Sequence, residues 1–416
     1  MSRSSPPIIL APSLFGPSNA AVIHRFGLRR RLRVRTWGSR VGLVFELALW
    51  YLIALFNAER LSRHHGAVIQ QRTGKSPGRQ RWEQRFLALF HTVPPKSYYH
   101  FRLYEPEQRA RVGEFLHRSE TKKRGVFGRL NPKGSGRNAL NDKRLFTETC
   151  RKLGVSVVPN LLELWAGDVL PLDHLEPTLP EIDLIVKPTR GRGGIGVSRW
   201  EAVGGGRFRG LDGECLDGCQ LLERLLELSR DRAHLVQPRL LNHHELRDLG
   251  GGVLTTVRVL SCLDEHGRAE VTNASFRIAV DDAVVDNMHR GGVAAAVDLD
   301  TGRLGRGIAM DAASDWLEKH PRSGAPIAGR FLPHWQEALE LVRRAHDGIP
   351  RILLAGWDVA LLEEGPCLIE GNSAPCVNLI QRPLGGPIGS GRFGELLAHH
   401  ITRVRRGAGA RVPGRP

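Results

Sequence analysis

The chain has 416 residues, 41% of them hydrophobic and 25% charged, which excludes disorder throughout and supplies apolar surface for two or three domains rather than one. Formal net charge is +17, and it is concentrated: residues 1–140 hold 26 Lys and Arg against seven Asp and Glu, while the rest is nearly balanced. Such a basic front third can attract a membrane surface, an anionic polymer or nucleic acid. Only nine of the 60 cationic residues are Lys, so a base-biased coding sequence would give the same Arg-heavy composition. No helix-turn-helix, zinc-finger or aromatic RNA-binding pattern accompanies the charge, and specific nucleic-acid binding is not expected. The six cysteines are scattered. Cys215 and Cys219 lie close together without a second pair at zinc-ligand spacing, as expected of reduced thiols in a cytoplasmic protein. No signal peptide is expected, because the first apolar stretch is short and broken by Pro and Ser.

In chain order, residues 1–20 are Pro- and Ser-rich and read as loose, and residues 40–125 alternate apolar with Arg-rich stretches and read as mainly helical. Within them, Val41–Phe56 is an apolar run interrupted by Glu46, with Arg29, Arg30, Arg31, Arg33, Arg35 and Arg40 upstream. A spanning helix needs about 20 apolar residues. This run is shorter and carries a carboxylate, so a helix packed on the protein is the ordinary reading; contact with a membrane surface is the alternative, and a span is disfavoured. Gly125–Gly136 has the Gly, Pro and Ser content of a boundary loop.

Asn141 is placed to cap a helix that begins at Asp142 and Lys143 and runs through Phe146 and Leu153 to Gly154. Val155–Val158 predicts a short strand, Ile182–Lys187 a second, and Val197–Trp200 a third on the far side of a glycine loop. A helix over Gln220–Leu228 precedes the strand Leu235-Val236-Gln237. Val253–Leu263, Glu270–Val280 and Val284-Val285 alternate as in an antiparallel sheet, and a helix over Pro333–His346 leads to a final hairpin. The pattern is α+β in two lobes joined near residue 237.

The loop holds Gly191, Gly193, Gly194 and Gly196. Glycines let backbone N–H groups approach phosphate oxygens closely. A dinucleotide-binding loop would open a helix, but a strand-like run follows, so this loop is a hairpin tip. Lys187 precedes it and no H-R-D follows, which sets it apart from a kinase loop. An edge lysine at a strand end is the bland reading of Lys187.

Ile352–Leu362 and Cys367–Asn372 flank Glu363-Glu364-Gly365-Pro366, a turn composition. A turn centred on Glu364 sets Asp358 opposite Glu370, among Trp357, Val359, Leu368 and Ile369. Facing carboxylates repel, and a divalent cation would relieve the conflict. Asn372 projects from the same face as Glu370 and adds an oxygen ligand, a set suited to Mg²⁺; a solvated hairpin without metal is the alternative. Arg258 and Arg277 lie in neighbouring strands and could clamp a phosphoryl group or form structural ion pairs. Asp286–Gly292, with Asn287 and His289, fits a substrate-contacting turn and an ordinary one equally well.

The order Asn141-Asp142-Lys143, Val186-Lys187-Pro188, Leu235-Val236-Gln237-Pro238, Thr256-Val257-Arg258, Asp286-Asn287 with Gly291-Gly292, Gly356-Trp357-Asp358-Val359 and Ile369-Glu370-Gly371-Asn372 resembles the ATP-grasp superfamily, most closely its sugar-transfer-associated branch. The resemblance covers about residues 138–400. It implies a two-lobed ATP-grasp fold behind a mainly helical, basic N-terminal region: residues 1–135, a small lobe over 136–236, a C-terminal lobe over 237–405 and a tail over 406–416. By the same resemblance Lys143, Lys187 and Arg190 would hold ATP phosphates under the loop Gly191–Gly196, and the backbone at Gln237 would meet adenine. Arg258 and Arg277 would steady the phosphoryl group, and Asp358, Glu370 and Asn372 would bind Mg²⁺. Many relatives carry an acidic residue directly after the hinge glutamine. Here Pro238-Arg239 follows, leaving Glu245 as the substitute for ribose. The expected activity is ligation of a carboxylate to an amine or other nucleophile, in polysaccharide or cell-surface modification; the alternative is a non-catalytic, ATP-binding or membrane-peripheral assembly factor.

Overall fold

The computed structural model describes residues 5–10, 16–33, 36–122, 125–170, 178–191, 195–280, 292–311 and 313–405. The expected α+β architecture is present, with two antiparallel sheets and a helical N-terminal region. That region contains α1 (Asn19–Leu32), α2 (Trp37–Thr73) and α3 (Pro77–His91). The short helices α4 (Pro95–His100), α5 (Pro106–Ala110), α6 (Arg118–Thr121), α7 (Val126–Leu130) and α8 (Ser135–Ala139) follow, and then α9 (Lys143–Lys152).

The first sheet is built from β1 (Leu162–Trp165), β2 (Asp168–Leu170), β3 (Leu184–Pro188), β4 (Ser198–Gly204), β5 (Arg207–Gly210), β6 (Cys215–Asp217) and β7 (His234–Pro238), in the order β2-β1-β7-β3-β4-β5-β6. One face packs Leu162, Leu164, Leu184, Val186 and Val236 against Leu221 and Leu225 of α10 (Gly218–Leu228). Side chains alternate along a strand and paired residues share a face. The pairs Lys187 with Leu235 and Ile185 with Gln237 therefore put Lys187 and Gln237 on the face turned away from this core.

After the helix α11 (Arg247–Gly250), the second sheet contains β8 (Thr256–Leu263), β9 (Ala269–Ile278), β10 (Val293–Val297), β11 (Leu304–Ala309), β12 (Trp316–Leu317), β13 (Leu354–Leu362) and β14 (Gly365–Asn372), in the order β12-β11-β10-β9-β8-β13-β14. Helix α12 (Trp335–Gly348) packs across β8, β9, β13 and β14. There Trp357, Val257, Val259 and Phe276 meet Leu339 and Val342 in the largest core. Arg258, Arg277, Asp358 and Glu370 alternate with these core residues and face the other way.

The terminal helices α13 (Asn378–Leu384) and α14 (Arg392–Arg405) close the chain, and α1 packs on α14. Ile23, Phe127, Leu260, Leu354 and Phe393 share one core, so the basic front segment is built onto the second sheet. Asn131 fastens the two. Its amide donates to Leu354 O (2.7 Å) and Ser373 O (2.8 Å), and its oxygen accepts from Leu353 N (2.8 Å).

Several sequence expectations are corrected. Asp142, not Asn141, caps α9, accepting from Arg144 N at 3.1 Å, while Asn141 accepts from Ser373 Oγ at 3.1 Å. Val155–Val158 makes a single bridge, Val157 to Leu368, rather than a strand; Gly154 sits at φ +63° before it and Pro159 lacks an N–H after it. β1, β2, β5, β6, β10, β11 and β12 were not expected. Gly193, Gly194, Val284-Val285 and Asp286–Gly291 lie outside the described residues. The run Val41–Phe56 belongs to a 37-residue helix that packs by one stripe only.

Candidate active site

Lys187 leaves the end of β3 buried, and its strand position aims it at the second sheet. Lys143, on the first turn of α9, lies 3.7 Å from Glu370 Oε2. Close approach of α9 to β14 makes this possible. A Cβ on Gly371 would lie 2.3 Å from Leu140 Cδ2 and 3.0 Å from Phe146 Cε2. Burial pulls the Lys187 ammonium down to about 8, with Lys143 adding repulsion while Glu370 and Asp358 oppose the shift. Two cations from the front of the cleft and two carboxylates from the hairpin thus share one electrostatic cluster.

Asp358 pairs with Arg258 on one side and with Glu370 on the other. The pairing of Asp358 with Glu370 is as expected, but the turn is not. Leu362 pairs with Gly365, which centres it between Glu363 and Glu364, and a bulge at Ile369 shifts the register back by one. Arg258 donates to both oxygens of Asp358, from Nε to Oδ1 at 2.6 Å and from the guanidinium to Oδ2 at 3.0 Å. Arg277 approaches Oδ2 at 3.1 Å and donates from Nε to Thr256 Oγ1 at 3.0 Å. Burial pushes the Asp358 carboxyl up, but Arg258 and Arg277 outweigh it and hold the group below the usual carboxylate range. The conflict between facing carboxylates is therefore met by two arginines, a partnership across three strands that the hairpin sequence alone does not contain. Asn372 donates to Glu370 Oε1 at 3.2 Å, so these two oxygen-bearing side chains stand together.

At the hinge, the buried Gln237 donates to Asn160 Oδ1 at 2.7 Å, and Asn160 donates to Glu163 Oε1 at 3.0 Å. Arg144 lies 3.6 Å from Glu163. Burial raises the Glu163 carboxyl, with Asn160 and Arg144 opposing. The sequence reading missed Asn160, just before the unrecognised strand β1, and Glu163 within it, whose only signal is the spacing of a polar pair.

The glycine loop joins β3 and β4 as a hairpin, as expected. Its entry is tied to α9: Thr189 O accepts from Lys143 N at 3.1 Å, and Arg190 Nε donates to Asp142 Oδ2 at 2.9 Å. Gly191 leaves 3.2 Å for the Arg232 guanidinium beside an imagined Cβ, and Gly196 takes φ +76°. Glu245 stands apart on an exposed turn beside the β13–β14 tip. Arg330 donates to its backbone oxygen at 2.8 Å, and no ion pair among the described residues joins its side chain to the lysine cluster.

Among solved structures, the chain is similar to D-alanine–D-alanine ligase from Bacillus anthracis complexed with ATP, with 13% identity, TM-score 0.39, and coverage of 74% of this chain and 85% of that one. It is also similar to D-cycloserine synthetase, at 16% identity and TM-score 0.34 over 64% of this chain and 71% of the other. The L-amino acid ligase from Bacillus licheniformis matches at 12% identity and TM-score 0.33 over 58% of this chain, which spans only 43% of that ligase. No curated protein matches the sequence. The sequence profile of the sugar-transfer associated ATP-grasp family, by contrast, matches residues 125–387, a stretch that holds the lysines, the glycine loop, the hinge and the carboxylate hairpin, and the chain belongs to that family.

Proposed function

We propose that the protein is an ATP-dependent ligase that joins a carboxylate to an amine or another nucleophile through an acyl phosphate. The observation that carries this reading is the convergence of Lys143 and Lys187 with Glu370 and Asp358 between two antiparallel sheets. In it, Lys143, Lys187 and Arg190 hold the triphosphate under the loop, and the Gln237 backbone meets adenine. Glu245 is the residue left for the ribose, and Arg258 and Arg277 face the transferred phosphoryl group. A substrate carboxylate oxygen attacks the γ-phosphorus, forming a P–O bond as the bond to the ADP oxygen breaks. The nucleophile then attacks the acyl carbon, phosphate departs with the C–O electron pair, and the surplus amine proton passes to phosphate or solvent. Catalysis in such a transfer is chiefly positioning and charge neutralisation. Glu370 and Asn372, hard oxygen donors side by side with Asp358 across the ladder, fit Mg²⁺, which would neutralise phosphate charge there. The family's association with sugar transfer favours a saccharide-linked carboxylate.

Hydroxylamine serves as a generic nucleophile for the test. With Mg-ATP and a panel of carboxylates labelled with heavy oxygen, the correct acid should yield a hydroxamate and pass one labelled oxygen to inorganic phosphate. Phosphate release without labelled oxygen for every acid would defeat the acyl-phosphate route.

The buried ammonium adds a pH dependence. Lys187 is protonated below its midpoint of about 8, and a bound triphosphate favours that charged form. ATP affinity should therefore fall as pH rises through this value, by about tenfold for loss of one charged hydrogen bond. Lys187→Arg, which stays charged, should flatten the profile measured by calorimetry.

A further inference from the structure

Helix α2 is long and apolar enough to cross a membrane by length and composition, and little of its apolar window is buried. Its inner stripe, Trp50, Ala54, Ala58, Ser62, His65 and Ile69, packs on the protein. The outer stripe is Trp37, Val41, Phe45, Leu49, Leu52 and Phe56, in steps of three or four residues; Trp37 is 79% exposed, Phe45 71% and Phe56 70%.

Helix α3 runs back alongside with inverted polarity. It buries Gln80, Glu83 and Gln84 beside Leu87 and Ala88, and the polar three bond within the protein: Tyr98 donates to Glu83 at 2.6 Å, Lys75 at 2.9 Å, and Gln84 donates to Ser62 at 2.8 Å. Its outer side carries Trp82, Phe86 and Phe90, ring against ring with centroids 5.5 and 4.9 Å apart. Tyr51 donates to Leu89 O at 3.3 Å, which ties α2 to the last turn of α3, and each helix turns a row of exposed apolar side chains away from its buried stripe. An apolar face of this size is more than the scattered exposed residues of an ordinary surface.

The surroundings of the face are cationic. Arg40, Arg60, Arg63 and Arg79 are exposed along the two helices, and the Arg79 guanidinium lies 4.7 Å from the Trp82 ring centroid. A cavity of ≈ 840 Å³ adjoins α2, where Leu49, Trp50 and Ile53 meet Arg30, Arg31, Arg33 and Lys122. Apolar surface rimmed by Arg and Trp is the composition of a helix lying at a lipid–water boundary. Both ends of α2 return to one body. At its C-terminal end Arg72 donates to Ala313 O at 2.6 Å. Before its N-terminal end α1 packs on α14, and Arg31 pairs with Glu46, which neutralises the one carboxylate of the apolar run. From Trp50 onward the helix therefore lies along the body, while Trp37–Leu49 buries no residue and touches it through the Arg31–Glu46 pair.

We propose that the outer face of α2 and α3 docks on an anionic lipid bilayer, apolar side chains entering the headgroup boundary and the arginines meeting phosphates. This does not depend on the ligase reading. The full chain should cosediment with phosphatidylcholine vesicles containing a third phosphatidylglycerol and bind pure phosphatidylcholine vesicles at least about tenfold more weakly. Salt should release it. The double variant Phe45→Asp and Phe86→Asp, at exposed positions and checked for an unchanged melting temperature, should lose at least about tenfold in partitioning. No binding by the unmodified chain, or equal binding by the variant, would overturn the proposal. So would a dimer that the variant dissociates in the absence of vesicle binding, or a membrane-bound form that alkaline carbonate cannot extract and detergent can, which would mean a span.

Discussion

Glu370→Gln is expected to lower ATP-dependent phosphate release by at least about 100-fold while leaving the fold intact, the loss typical when one charge-stabilising group is removed from a transfer site. The carboxylate is on β14, partly exposed, 3.7 Å from Lys143 and bonded to Asn372. Glutamine preserves its size and can still accept from Asn372. What disappears is the negative charge that, with Asp358, offsets the buried cations and would hold Mg²⁺. Release rate, urea midpoint and ATP affinity measured on the same preparation separate the outcomes. Unchanged stability with activity lost supports the ligase reading. Unchanged release would remove Glu370 from the chemistry, and an unmodified chain that binds ATP without turnover would favour the non-catalytic assembly role.

Much of this site could be read locally. Strand alternation puts Glu370 and Asn372 on one face whatever the register, and Gly-rich spacing between two β-like runs identifies a hairpin tip beside Lys187. The pairing of Asp358 with Glu370 was also legible, although the turn centre and the bulge at Ile369 each displaced the count by an amount that cancelled. Nonlocal partners were not legible. Nothing near Asp358 in the chain announces that Arg258 and Arg277 will occupy its oxygens, and nothing near Gln84 announces Ser62. A pattern-based reading turns apolar residues inward, so it cannot foresee that α3 buries Gln80, Glu83 and Gln84 and exposes Trp82 and Phe86. The strand β1 was missed for a related reason. Leu162, Leu164 and the buried Glu163 serve a core face and a cleft face at once, and the polar member breaks the apolar run without marking a turn.

Asp358→Asn should destabilise the folded protein by about 3–5 kcal/mol, the range for breaking a buried ion pair from one side. Arg258 is buried with Asp358 and Arg277 nearly so. Removing the anion takes the carboxylate away from both guanidinium groups where solvation is poor. The pH dependence gives a second readout. A carboxyl held below its ordinary range contributes stability that is present above its unfolded pKa and lost as pH falls through its folded one. The difference between unmodified chain and variant in urea unfolding should therefore be full at neutral pH and shrink under acid. Replacing Arg258 by Met in the Asp358→Asn background should restore part of the loss, since one stranded cation is then removed. A variant as stable as the parent at neutral pH would show that water reaches the arginines. The triad would then not be the rigid support that keeps Arg258 and Arg277 facing the phosphoryl position, and their assignment there would fail with it.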